Sequence, residues 1–166
     1  MKEVIEKLKE KGKTIATMES CTGGGLAYTI TNVEGASDVF HYGAVTYSNE
    51  AKISQGVDSK IIEKYTVYSE EVAKDMSKKI SILANSDYGV GVTGKLNRPD
   101  KNNPEGNDNQ VFFSIYDRDL DEYYVSSIFV DKTTRELNKL QIIEEIKEEL
   151  LKILKPKVYV KNNRGE

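Results

Sequence analysis

The 166-residue sequence has one cysteine, one histidine, three prolines and no tryptophan. With Cys21 alone, an internal disulfide is excluded, as suits a reducing compartment. A single Cys and a single His cannot supply the three or four clustered ligands that zinc requires, so no metal and no cofactor is expected. The sole histidine, His41, lies in a β-rich segment; a Ser-His-Asp triad would have to run through it, and a packed or surface role is the ordinary one for such a residue. No run of about 18 apolar residues is present, which excludes a membrane-spanning helix. Residues 1–13 alternate charge with Val4, Ile5 and Leu8 at helical spacing rather than forming the apolar stretch of a secretory leader, so a cytoplasmic protein is expected. An excess of positive charge is also missing. Lys and Arg number 24 against 27 Asp and Glu, a net charge of −3, so nucleic acid is not an expected partner.

What remains is a chain of ordinary globular composition, 38% hydrophobic and 31% charged, long enough for one domain and too short for two. That domain is expected over residues 1–156, with 157–166 as a C-terminal tail. An amphipathic first helix is followed by a short apolar strand, Lys13 to Met18, which ends at Glu19. The loop Ser20-Cys21-Thr22-Gly23-Gly24-Gly25 then leads into a helical segment closed by Gly35. Val39 to Tyr47 is rich in β-formers, and Asn49 to Ser54 is polar with helical character. Ser69 is placed to cap a long helix with acids in its first turn and lysines later. Tyr88 to Thr93 reads as a buried strand, and Gly94 to Asn109, with Pro99, Pro104 and five asparagines, as a long loop. Val111–Asp117 and Glu122–Val130 alternate like a hairpin, and Thr133 or Thr134 caps a last helix that Pro156 ends. This alternation predicts an α/β protein, a three-layer α/β/α sandwich on a mixed, mainly parallel sheet with one antiparallel hairpin.

Two places can carry chemistry. Ser20 sits where a strand hands over to a helix, so its hydroxyl lies beside backbone N–H groups able to hold an oxyanion or a phosphate. The plainer alternative is that Ser20 or Thr22 caps the helix and the glycines make a turn. A serine nucleophile needs a base, and with His41 set aside the segment Thr46-Tyr47-Ser48-Asn49-Glu50-Ala51-Lys52 offers a lysine whose pKa would fall on burial. In that reading Tyr47 relays or orients the proton and Asn49 donates to a substrate oxygen; the alternative is a strand-to-helix junction with a solvated lysine.

The run Glu19-Ser20-Cys21-Thr22-Gly23-Gly24, then Gly35-Ala36-Ser37, Val45 to Lys52, Val67-Tyr68-Ser69-Glu70-Glu71-Val72-Ala73 and Val92-Thr93-Gly94, closely resembles the CinA C-terminal domain family, in order from about Lys11 to Leu154. The resemblance implies a stand-alone form of a three-layer α/β/α domain that deamidates nicotinamide mononucleotide to nicotinate mononucleotide and ammonia without a metal. It implies Ser20 as nucleophile, Lys52 as base and Tyr47 in support. It implies substrate contacts from Thr22, Gly23, Gly24, Asn49, Thr93 and Gly94, and a phosphate-facing arginine matching Arg135 in its Thr-Thr-Arg-Glu context. The implied partner is a small nucleotide substrate, and the ten tyrosines and the hairpin leave room for a homodimer.

One stretch departs from the family pattern. After Val-Thr-Gly the family usually continues Ile-Ala-Gly-Pro into a glycine-rich loop, whereas this chain has Lys95-Leu96-Asn97-Arg98-Pro99 and later Glu105 to Gln110. Fewer glycines restrict positive φ and crowd a bound nucleotide, while Lys95 or Arg98 offers a substitute phosphate contact. The rival expectation is a nucleotide-binding or partner-binding module that kept the pocket without turnover; a hydrolase of another amide or ester is the third.

Overall fold

The structure, a computed structural model, describes residues 1–156. The tail 157–166 lies outside them. Five strands form one mixed sheet in the order β2-β1-β3-β4-β5. They are β1 (Ile15–Glu19), β2 (Phe40–Val45), β3 (Tyr88–Gly94), β4 (Gln110–Asp117) and β5 (Glu122–Phe129). β1 pairs in parallel with both β2 and β3, and β3-β4-β5 is antiparallel, so the parallel part is three strands wide and the hairpin closes one edge.

Helices cover both faces. α1 (Lys2–Lys11), α2 (Gly25–Thr31) and α6 (Arg135–Ile153) bring Val4, Ile5, Leu8, Leu26, Ile30, Ile142 and Ile146 into a core with Ile15, Val90, Val92, Phe113 and Ile115. On the other face α5 (Glu70–Ala84) packs Val72, Met76 and Ile80 with Ala16, Met18, Val57 and Val67. Strand alternation explains the division, since Ile15 and Ala16 are neighbours in the chain and belong to opposite cores. α5 lies directly against β3: a Cβ at Gly91 would stand 2.4 Å from Ala73 O and 2.7 Å from Met76 Cβ, so only glycine permits this approach.

Between β2 and α5 come two short helices, α3 (Asn49–Ser54) and α4 (Ser59–Tyr65). Ser48 caps α3 by accepting from Ala51 N–H at 3.0 Å, and Asp58 caps α4 by accepting from Lys60 N–H at 2.9 Å. Ser69 and Thr134 cap α5 and α6, accepting from Val72 N–H and Leu137 N–H. The connection after β1 runs to α2 on one face and that after β2 runs to α3 and α5 towards the other. A crevice therefore opens beyond the carboxyl ends of β1, β2 and β3, where parallel sheets place their ligands. No helix among the described residues is long and apolar enough to cross a membrane.

Candidate active site

Ser20 and Lys52, 32 positions apart, meet in that crevice. β1 ends at Glu19, and Ser20 N–H still donates to Val92 O of β3 at 3.1 Å, which anchors the serine backbone to the sheet. Thr46 continues the β2 pairing on the other side, its N–H donating to Glu19 O at 2.8 Å. Lys52 lies in the last turn of the six-residue α3, and helical side chains slant towards the helix N-terminus, so its stem runs back to the strand ends. Its Nζ lies 3.1 Å from Ser20 Oγ and donates to Thr46 O at 2.9 Å. Only 2% of Lys52 is exposed, and burial pulls its ammonium down to about 8, against the opposing pull of Cys21 and Asp100. In the neutral form the same contact lets Ser20 O–H donate to the amine. Burial pushes the Cys21 thiol up to about 12, so it stays protonated and does not compete as a nucleophile.

The start of α2 is occupied, contrary to the expectation that its amides would hold an oxyanion. The Glu19 carboxylate, 1% exposed, accepts from Leu26 N–H at 2.7 Å, Ala27 N–H at 3.0 Å and the Thr22 hydroxyl at 2.7 Å. The N–H groups of Cys21, Thr22 and Gly24 in the preceding turn have no hydrogen-bond partner among the described residues, and of the three residues Cys21 lines the cleft. Gly23 (φ +60°) and Gly24 (φ +94°) take the left-handed backbone that makes this turn.

The cleft has a volume of about 1150 Å³ and is lined by Ser20, Cys21, Tyr47, Asn49, Gly94 and Arg135 among others. Asn49 and Gly94, expected as substrate contacts, are among the residues that line it. Tyr47 stands at the rim, 65% exposed, where its hydroxyl accepts from Arg135 Nη2 at 3.4 Å and makes no bond to Ser20 or Lys52. Arg135 also donates to Leu96 O at 3.5 Å. Two expected contacts point elsewhere: the Thr22 hydroxyl is spent on Glu19, and the buried Thr93 hydroxyl donates to Val67 O at 3.0 Å, tying β3 to the entry of α5. Thr22, Gly23 and Gly24, also expected as substrate contacts, are not among the residues that line the cleft, and the Gly23 N–H is taken by Ser20 O at 2.9 Å.

Several groups at the site were not singled out by the sequence as ligands. Tyr68 donates to Asp100, whose carboxylate also accepts from Asn103 Nδ2 at 3.1 Å, and Asn103 Oδ1 accepts from Asn49 Nδ2 at 2.9 Å. This chain of bonds ties the loop after β3 to α3 and to the segment before α5. Burial and then the Asp100 contact push the Tyr68 hydroxyl well up, and the Tyr68 hydrogen bond holds Asp100 below its usual range. One turn beyond Arg135, the Lys139 ammonium approaches the serine turn, 3.2 Å from where a Gly23 Cβ would be. Around the cleft Lys95, Arg98, Lys101 and Arg135 outnumber Glu50 and Asp100, so a chain of net charge −3 presents a locally positive site. No group of three or more His, Cys, Asp or Glu placed to hold a metal occurs among the described residues.

The family model of the CinA C-terminal domain matches residues 1–154. A competence-damage inducible protein of Natranaerobius thermophilus is 36% identical over 146 residues, 87% of this chain and 34% of the relative. One of the same name from Thermoanaerobacter pseudethanolicus is 52% identical over 96 residues, 57% of this chain and 23% of the relative. The chain thus spans about a quarter to a third of these curated relatives. Among solved structures, the competence/damage inducible protein CihA of Agrobacterium tumefaciens superposes with a TM-score of 0.82 at 24% identity, covering 92% of each chain, a likeness of fold.

Proposed function

The chain belongs to the CinA C-terminal domain family, and we propose that its cleft deamidates nicotinamide mononucleotide to nicotinate mononucleotide and ammonia, with Ser20 as nucleophile and Lys52 as base. The observation that carries this reading is the 3.1 Å contact between Lys52 Nζ and Ser20 Oγ, made by a lysine whose pKa burial has lowered to about 8.

Neutral Lys52 takes the Ser20 proton as Oγ bonds to the carboxamide carbon, and the carbonyl electron pair moves onto oxygen. The unpartnered N–H of Cys21, which lines the cleft beside Ser20, is the available backbone donor to that oxyanion. Collapse breaks the C–N bond, and Lys52 returns the proton to the departing ammonia. Water then attacks the acyl-serine, gives its proton to Lys52, and the carboxylate leaves as Oγ is reprotonated. The locally positive cleft favours a substrate carrying a phosphate, with Arg135 and Tyr47 at its rim.

Incubation with nicotinamide mononucleotide should release ammonia, and Ser20→Ala should release it slower by several orders of magnitude while keeping its circular dichroism. Equal rates from the two proteins would rule out the serine mechanism. Tight nucleotide binding without turnover by the wild type would instead identify a binding module of the same fold.

A further inference from the structure

Lys95 is a second buried ammonium at the cleft, and the reaction written above makes no use of it. It follows directly on β3, and its N–H donates to Gln110 O at 3.1 Å, so its backbone is held by the sheet. Its side chain is 2% exposed and lines the cleft. The ammonium stands 5.1 Å from the centre of the Tyr68 ring, and the Tyr68–Asp100 hydrogen bond fixes that ring. Its one polar partner among the described residues is Asp108 Oδ1, at 3.5 Å. The Asp108 side chain is 53% exposed, so water answers much of its charge.

That arrangement leaves the cation under-compensated. An ammonium has three donors, and taking it out of water is costly unless close acceptors replace the lost hydration. Lys52, equally buried, has two acceptors at 3.1 and 2.9 Å; Lys95 has one at the limit of hydrogen-bonding distance, on a loop.

We infer that Lys95 is an anion-binding residue that takes the phosphate of the substrate, exchanging its long contact with Asp108 for close contacts to phosphate oxygens. The inference deepens the proposed function and rests on it for the identity of the attached base. The phosphate itself is what the site recognises. Buried next to an aromatic face, Lys95 supplies affinity that the exposed Arg135 at the rim does not, because an ion pair shielded from water is screened less. Asp108 holds the ammonium's place until the anion arrives.

The test uses ribose 5-phosphate, which carries the phosphate and no carboxamide, titrated calorimetrically into wild type, Lys95→Met and Asp108→Asn. Lys95→Met, which keeps the apolar stem, is expected to weaken binding by at least about tenfold, and Asp108→Asn to tighten it severalfold, with wild-type affinity falling as salt is raised. Undiminished binding by folded Lys95→Met overturns the proposal, as does wild type that binds no ribose 5-phosphate. Should Lys95→Met fail to fold, Asp108→Asn decides, and an unchanged affinity there overturns it as well. A protein that binds ribose 5-phosphate through Lys95 yet releases no ammonia would refute the deamidase reading alone. One that deamidates with Lys95 irrelevant to phosphate binding would refute only the present inference.

Discussion

Glu19 and Ser20 are neighbours at the end of β1 and serve different elements: the Glu19 carboxylate caps α2 through Leu26 and Ala27, while the Ser20 hydroxyl meets Lys52 of α3. Strand alternation sends the two side chains apart, so one residue fixes the helix and the next faces Lys52. The serine's position thus depends on an acid that never touches the cleft.

Removing that acid should be costly. Glu19→Ala leaves two buried amide groups and the Thr22 hydroxyl without an acceptor and is expected to lower stability by about 2–4 kcal/mol. Glu19→Gln, which keeps one acceptor oxygen but loses the charge facing the helix start, should cost about 1–2 kcal/mol. Urea denaturation of the three proteins checks the order.

Lys52 should be a burden on the fold. Below about pH 8 folded and unfolded chains both carry the ammonium, and the full cost of burying it applies. Between about 8 and the ordinary 10.5 the folded chain has released the proton and the unfolded chain still holds it, so Lys52 by itself contributes a rise in stability with pH across that window, of about 3 kcal/mol in all. Lys52→Met should be the more stable protein at pH 7, by about 1–3 kcal/mol, and should lack this rise. Thermal unfolding of the pair from pH 6 to 9.5 reads the difference; Cys21, pushed up to about 12 by burial, acts in the opposite sense above about pH 9 but does so in both proteins, and Tyr88 and Tyr116 act only at higher pH.

How much of this the sequence disclosed depends on whether a residue's role is local. The long helices, the buried strand at Tyr88 and the hairpin were legible because their apolar period or their caps lie within one segment, as Ser69 and Thr134 show. α4 has no clear signature in the sequence, since Ser59–Tyr65 buries none of its residues fully and so carries no apolar stripe. Ser20 and Lys52 could be named, but Lys52 in Asn-Glu-Ala-Lys reads as a solvated lysine, and its burial and its contact with Ser20, 32 positions away, are properties of the folded chain. Glu19 as a helix cap, and the Tyr68–Asp100–Asn103–Asn49 chain, are tertiary contacts with no signature in spacing.

The close approach of α5 to β3 should be intolerant of a methyl group. Gly91→Ala would place its Cβ against Ala73 O and Met76 Cβ and is expected to cost about 2–4 kcal/mol, because backbone must move to admit it. Chemical denaturation measures this directly.

Asp100 should hold the loop after β3 in place. Asp100→Ala removes the acceptor for Tyr68 and Asn103 and should speed amide exchange over residues 96–109 by about tenfold, with exchange in β1 and β3 unchanged. The KM for nicotinamide mononucleotide should rise severalfold, more than kcat falls, because the loop shapes the cleft and does not touch the reacting bond.

The measurement closest to the central claim is ammonia release from nicotinamide mononucleotide by wild type and Lys52→Arg between pH 6 and 9. A lysine base with a pKa near 8 makes wild-type kcat/KM climb with pH and level off above about 8, while an arginine, protonated throughout, leaves only background. A Lys52→Arg protein that matches wild type, or a wild-type profile flat through pH 8, would contradict it.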